Sequence, residues 1–332
     1  METIGKIAVE ITIAGKNITG DVSPYLAKIT YTDRVEDESD DISLTFEDTA
    51  ARWQKAWYPQ QGDSLEVRLG VAGNTLDCGL FEIDQIEFEF PPDALHVKAL
   101  GAAISKSLRT KNSKAFEKQS LKKIAQYFAD KHGLKLTGNM GDLAKIQIER
   151  KTQDRETDIS FLAKLAKEYG LIFSVRGQQL VFMTVDELEK KPAVMTIGKD
   201  RMSKARFQDK TSQVYAAATV ATRDVRSNTV KKWQIKPSGD PAKKDTLIVG
   251  GRVENDGQAQ AKAKGALKAK NKDKTTGTIT LPGDCRLVAG VNVELTGVGE
   301  FSGKWHIAQS THTIDPASGY TTDISVRKIV QS

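Results

Sequence analysis

Gly79-Leu80-Phe81-Glu82-Ile83 and Gly303-Lys304-Trp305-His306-Ile307 are the same five-residue word, Gly-x-aromatic-x-Ile, near opposite ends of a 332-residue chain. In both places a proline, Pro92 or Pro316, follows the Ile by nine residues. An alternating apolar stretch precedes each word: Leu65, Val67 and Leu69 before Gly70, and Val291, Val293 and Leu295 before Gly297. Another follows, at Leu95 and Val97 and at Ile324 and Val326. Apolar residues two apart share one face of a strand, and Gly supplies the turn of a hairpin. Such alternation is common to antiparallel β-domains. The shared pentad and Pro spacing make stretches 62–97 and 290–326 two copies of one unit, and so two related β-domains flanking something else. Gly79, Phe81, Ile83, Gly303, Trp305 and Ile307 are expected to shape these domains as structural residues.

A chain of this length is expected to hold two or three domains, each with its own core. It is 39% hydrophobic and 28% charged, an ordinary soluble composition. No apolar stretch reaches the roughly 20 residues of a membrane span. The start, Met1-Glu2-Thr3-Ile4-Gly5-Lys6, lacks the layout of a signal peptide, and a cytoplasmic origin is expected. Cys78 and Cys285 are too few for a disulfide framework and have no metal-ligand spacing. The net charge of +6 hides an asymmetry. Residues 1–104 hold 8 Lys/Arg and 19 Asp/Glu, whereas residues 105–332 hold 41 and 24, a net of −11 against +17. This polarity suits one end of the chain meeting the other end of a neighbouring copy, or a basic part meeting nucleic acid. Solvated faces with no special partner account for it equally well.

Along the chain, residues 7–13 alternate as a half-buried strand, Gly15-Lys16-Asn17 turns, and Ala27–Thr32 and Ile42–Phe46 read as further strands. The acidic run Glu36–Asp41 lacks the spacing, central Gly and closing Glu of a calcium loop and reads as a solvated turn. Ala50–Trp57 is a short helix or turn. From Ile104 the pattern becomes mixed. Ser120 caps a helix with Leu121, Ile124 and Phe128 on one face, and Gly133 stops it. A second helix starts at Thr157 or Asp158, buries Phe161, Leu162, Leu165, Ala166 and Tyr169, and ends at Gly170. Ile172–Val175 and Leu180–Phe182 form a hairpin around Arg176-Gly177. The last third returns to β with Tyr215–Ala221. Lys231–Lys244 reads as an exposed basic loop. Asn255–Lys272 reads as an Ala/Lys/Gln helix whose thin apolar face suits the surface or an interface.

No stretch carries a strong catalytic signal. Gly297–Trp305 resembles a phosphate loop only in its glycines. Trp305 stands where Ser or Thr must bind magnesium, so a hairpin turn is the better reading. Cys285 with His306 or His312 could be imagined as a nucleophile pair, but no helix N-terminus follows Cys285 to lower its pKa. His306, at the variable position of its pentad, is expected on a surface or inter-domain strand. His96, His132, His306 and His312 show no metal-binding spacing. Carboxylate pairs meet only in the fold, and none here sits in a recognisable motif. Aromatics do not interleave with the basic residues as in single-strand binders. Lys262, Lys264, Lys268 and Lys270 read as the wet face of the Ala-rich helix. No catalytic residue, cofactor or metal is expected.

The stretch Asp154-Arg155-Glu156-Thr157-Asp158-Ile159-Ser160-Phe161-Leu162-Ala163-Lys164-Leu165-Ala166-Lys167-Glu168-Tyr169-Gly170, with the hairpin after it, resembles the central segment of the phage late control D family. These are the baseplate hub proteins of contractile tails and of related bacteriocins. The closing Gly319-Tyr320-Thr321-Thr322-Asp323-Ile324-Ser325-Val326 is similar to that family's last strand. The order of regions matches too, so the resemblance covers essentially the whole chain.

It implies a mainly β (α+β) fold, with tube-type β-barrel domains at 1–104 and 193–332 flanking a central α/β domain at 105–192. The C-terminal domain would carry the Ala-rich helix. The resemblance also implies a homotrimer whose six similar domains adapt a six-fold tail tube to a three-fold central spike. Its partners would be the central spike protein, the tail tube protein, other baseplate proteins and the tape measure protein. Its place would be the baseplate of a virion or tail-like particle assembled in the bacterial cytoplasm. The competing readings are a tail-tip peptidoglycan hydrolase and a nucleic-acid-binding protein. With all three regions assigned, no fused wall-degrading domain is expected within these residues.

Overall fold

A computed structural model describes residues 6–35, 39–101, 110–176, 178–210, 214–224, 229–235, 245–250, 253, 256–316 and 318–329. The expected domain boundary at 104/105, Glu36–Glu38 of the acidic run, Gly177, and residues 236–244 of the basic loop lie outside the described residues. In chain order the strands are β1 (Ile7–Ile13), β2 (Lys16–Asn17), β3 (Leu26–Arg34), β4 (Asp41–Glu47), β5 (Ser64–Val71), β6 (Asn74–Glu89) and β7 (Ala94–Gly101). Then come β8 (Lys111–Ser120), β9 (Lys135–Gly138), β10 (Gln147–Thr157), β11 (Leu171–Arg176), β12 (Gln179–Thr184), β13 (Ala193–Gly198) and β14 (Lys204–Asp209). The last are β15 (Ala217–Asp224), β16 (Thr229–Ile235), β17 (Thr246–Val249), β18 (Thr275–Pro282), β19 (Asn292–Thr296), β20 (Gly303–Asp315) and β21 (Gly319–Lys328).

The chain divides into two compact units, each assembled from separate stretches. One holds Met1–Ile104, Pro192–Arg206 and Gly277–Val326, and the other holds Ser105–Lys191, Phe207–Thr276 and Arg327–Ser332. The sequence reading kept 193–332 together as one β-domain. Its middle, 207–276, instead groups with the central segment, because the Ala-rich helix approaches Gly170 at Gly265, packs Ala261 on the central cluster and pairs Lys262 with Glu168.

The first unit is organised by one sheet with the path β14-β18-β21-β20-β3-β4-β7-β6-β5-β1-β2, with β19 beside β20 and β13 beside β19. The path is open, so no closed barrel is formed among the described residues. It contains the same succession twice. The neighbours β3-β4-β7-β6-β5-β1 correspond, in chain order and position, to β14-β18-β21-β20-β19-β13. One pairing differs: β1 runs antiparallel to β5, but β13 runs parallel to β19. Alternation builds the core of both copies. Ile42, Leu44 and Phe46 of β4 are fully buried, as are Ile279 and Leu281 of β18. Ala50–Trp57 is a series of turns rather than a helix, with Trp53 stacked on Phe46.

The second unit carries α1 (Leu121–His132), α2 (Met140–Lys145), α3 (Asp158–Glu168), α4 (Val185–Lys190) and α5 (Asp256–Asn271) on three small sheets. Ser120 caps α1 by accepting the Lys123 N–H at 3.3 Å, and Gly133 ends it at φ +66°. Thr157 caps α3 in the same way, accepting the Ser160 N–H at 3.1 Å, and Gly170 follows at φ +68°. The apolar faces of both helices meet over Phe116, Leu180 and Phe182.

Two expectations change here. Residues 231–235 belong to β16, paired with β15, rather than to a loop. Helix α5 is not a bare surface helix either. Ala259, Ala263 and Leu267 are buried against Ala218 and Val220 of β15. Its small residues allow close approach: a Cβ on Gly170 would lie 2.2 Å from the Cα of Gly265. Lys262, expected in water, is buried, with Nζ 2.5 Å from Glu168, and Lys268 pairs with Asp186. Burial and then the nearby Arg327 charge pull the Lys268 ammonium down to about 8.

Candidate functional site

The repeated pentads occupy equivalent places in the two copies of the sheet. Phe81 stands opposite Leu65, and Trp305 stands opposite Val293. The Gly62 N–H donates to Ile83 O at 2.8 Å, and the Gly290 N–H donates to Ile307 O at 2.9 Å. The Ile83 and Ile307 N–H groups donate back to Asp63 O and Val291 O, each at 2.9 Å. Gly62 and Gly290 both have φ +89°, which only glycine adopts without strain. Gly79 and Gly303 also have positive φ, at +94° and +118°. The four apolar side chains Phe81, Ile83, Trp305 and Ile307 are fully buried.

The switch of the inward-facing set is duplicated as well. In β6 the inward set passes from Phe81 and Ile83 to Ile86 and Phe88, with the register shift between Ile83 and Gln85. In β20 it passes from Trp305 and Ile307 to Ser310 and His312. The strand before each pentad needs one correction. Leu65 corresponds to Val293 and Val67 to Leu295, two residues from the alignment expected from apolar alternation.

The copies meet where β20 runs antiparallel to β3, from Ile29 opposite Ile314 to Arg34 opposite Gln309. A buried polar chain lies beside this seam. Leu287 O can only accept, so His312 Nε2 carries the proton towards it at 3.1 Å. His312 Nδ1 then accepts from the Tyr320 hydroxyl at 2.9 Å. Burial holds the imidazole down at about 4, so it is neutral at ordinary pH. The Cys285 thiol donates to Asn74 O at 3.1 Å, and its Sγ lies 3.6 Å from the Tyr320 oxygen. Tyr320 thus stands between Cys285 and His312, which is not a nucleophile–base contact. Burial pushes the Cys78 thiol far above its ordinary range. His306 is fully buried rather than on a surface, with Nδ1 2.8 Å from Asn292 Oδ1. The Asp33 carboxylate accepts the Ala289 N–H at 2.8 Å. Sequence patterns do not single out Asp33, because its Ala289 partner is 256 residues away, or Tyr320, because its link between His312 and Cys285 forms only in the fold.

The remaining candidates have structural settings. Gly299–Phe301 is a single 3-10 turn leading into β20, and the Trp305 indole N–H donates to Phe301 O at 2.8 Å. In the second unit Asp158, at the start of α3, is fully buried and clamped. Oδ1 accepts from Gln153 at 2.7 Å and Asn112 at 3.2 Å; Oδ2 lies 2.6 Å from Lys131 Nζ and 2.7 Å from His132 Nε2. Burial alone would raise its pKa, but these partners together hold the carboxyl below its ordinary range. Among the described residues no group of three His, Cys, Asp or Glu could hold a metal ion. No described helix is long and apolar enough to cross a membrane.

Charge follows the two units. Residues 192–206 and 277–326 together hold 6 Lys/Arg and 6 Asp/Glu. The first unit therefore carries −11, all of it from residues 1–104, and the second carries +17.

A family model described as phage tail baseplate hub (GPD) matches residues 91–317. A probable baseplate hub protein of Escherichia phage 186 is 29% identical over 175 residues. That match covers 52% of this chain and 44% of the relative, so the chain spans under half the length of that protein. Among solved structures, the 43 kDa tail protein of prophage MuSo2 from Shewanella oneidensis superposes with a TM-score of 0.72 at 19% identity, covering 97% of this chain and 98% of that one. A tail protein from Neisseria meningitidis MC58 superposes at 0.73 and 14% identity, covering 97% of each. These structures share the fold.

Proposed function

Because the chain belongs to the phage tail baseplate hub family, we propose that it acts as a trimeric adaptor at the baseplate of a contractile phage tail or tail-like particle. Three chains with two similar tube-type domains each make a ring of six. Such a ring fits a six-fold tail tube on one side and a three-fold central spike on the other. Residues 1–104 supply one tube-type domain, the strands of 192–206 and 277–326 supply the second, and 105–191 with 207–276 form a separate unit.

The observation that carries this reading is the duplication inside one sheet. Two copies with matched pentads, matched glycine hydrogen bonds and a matched switch of inward-facing side chains stand side by side, joined by β3 and β20. A closed ring of odd subunit number can offer six similar surfaces only if each subunit contributes two. The neighbours in the particle are the tail tube protein, the central spike protein, other baseplate proteins and the tape measure protein. The role is geometric: the hub gives tube assembly its first ring and leaves a channel when the spike departs. The solution mass of the purified protein tests this. A species near three times 36.4 kDa is expected, and a strict monomer at every concentration contradicts the trimer.

A further inference from the structure

The path that joins the two copies leaves two strand edges unfinished. On one side β6 pairs with β7 as far as Glu89, but its pairing with β5 stops at Glu82. Among the described residues no strand pairs with that outer edge from Asp84 to Glu89; the Gln61 amide reaches Asp84 O at 3.4 Å. On the other side β14 begins the path, and β18 is its one neighbour among the described strands. By the duplication β6 corresponds to β20 and β14 corresponds to β3, and β20 and β3 pair with each other within the chain. We propose that the Asp84–Glu89 edge of one chain pairs antiparallel with β14 of a second copy of this chain, repeating the β3–β20 pairing between subunits. This rests on the ring reading above. Six strands separate β14 from β6 along the open path and the two do not pair within the chain, so the partner strand is assigned to another chain.

Three observations fit this occupant. The first is charge. The edge of β6 carries Asp84, Glu87 and Glu89, the last 3.1 Å from His96, whereas β14 carries Lys204 and Arg206, with its one acid, Asp209, at the far end and bonded to Thr275. The second is the face on which these charges lie. Lys204 lines the same surface groove as Gln309 and Thr311 of β20. The offset of 224 residues relating Gly79 to Gly303 maps those two onto Gln85 and Glu87. Lys204 and Arg206, two apart on one strand, therefore fall on the same face as Glu87 and Glu89, as cross-strand ion pairs require. The third is an exposed apolar residue. Ile314 lies opposite Ile29 in the seam, while its counterpart Phe90 is 75% exposed. A second chain laid along β6 covers it and removes the open edge that otherwise invites aggregation.

The test compares the full-length chain, Glu87→Lys with Glu89→Lys, Lys204→Glu with Arg206→Glu, and all four changes together. Solution mass and hydrogen exchange of the 85–89 amides are read for each. The four native side chains Glu87, Glu89, Lys204 and Arg206 are exposed, and circular dichroism checks that each variant folds. Each two-residue variant is expected to need about tenfold more protein to assemble, and the four-residue variant is expected to recover assembly. Alternate amides of 85–89 are already bonded to β7; those that point away from β7 exchange slowly in the assembled wild type and quickly in the two-residue variants. A wild-type trimer whose assembly is unchanged by either reversal, or whose outward 85–89 amides stay unprotected, overturns this pairing and leaves the ring standing. Protection of 85–89 that requires a different protein also overturns it. A wild type that never assembles overturns the ring reading, and this one with it.

Discussion

Phe81 and Trp305 hold the same position in the two copies, each opposite an apolar residue of the preceding strand and each shut off from water. Truncating either to Ala is expected to cost about 3–5 kcal/mol, whereas Leu80→Ala, at a side chain 51% exposed, should cost well under that. Urea unfolding measures both; a large difference between the Phe81 and Trp305 variants would argue against equivalent roles. His312 makes stability depend on pH. Its folded pKa is depressed from 6.5 to about 4, so only the unfolded chain gains a proton between these values. Stability contributed by the neutral imidazole is therefore intact above pH 6.5 and falls by about 3 kcal/mol by pH 4. His312→Gln should flatten that slope in unfolding curves taken across the window. An unchanged slope would show that other groups carry it.

The crossing of α3 and α5 sets two effects against each other. Ala in place of a mid-helix Gly gains about 1 kcal/mol in a free helix. At Gly265, however, the new Cβ would lie 2.6 Å from Gly170 N and 2.7 Å from its Cα. The backbone contact wins, and Gly265→Ala is expected to destabilise by about 1–3 kcal/mol in thermal or urea unfolding. A stabilised variant would mean that the helices part without cost. This crossing was hard to see in the sequence, because an Ala/Gly stripe looks too thin to bury although it is what lets backbones approach. The helices at Leu121 and Asp158 were legible, since cap, apolar stripe and stop glycine all agree. The repeat was legible too, because its glycines must adopt positive φ. Its strand alignment slipped by two residues, since sliding an alternating strand by two leaves every side chain on its own face. The β3–β20 seam pairs residues almost the whole chain apart, and no local pattern announces it. The burial of His306 was hidden for a different reason: its Asn292 partner, although only 14 residues away, stands directly opposite on the neighbouring strand and satisfies a ring nitrogen that a polar residue type suggests is in water.

At the scale of the whole molecule, the charge division has moved from where the sequence suggested it. The second copy is neutral overall, so a ring alternating acidic and basic domains is not what these residues build. What remains is local, between the acidic β6 edge and basic β14. Exposed pairs of this kind are screened beyond about 8–10 Å at ordinary ionic strength. Assembly is thus expected to weaken in molar salt without vanishing, because backbone pairing and apolar burial persist. Sedimentation at low and high salt measures this, and a trimer indifferent to salt would remove the charge contribution.

The most direct measurement is the rotational symmetry of the purified assembly in averaged electron micrographs. The account predicts a ring of three chains with three-fold symmetry, showing six similar lobes built from 1–104 and from 192–206 with 277–326. A ring of six chains, or three chains showing three lobes, would contradict it.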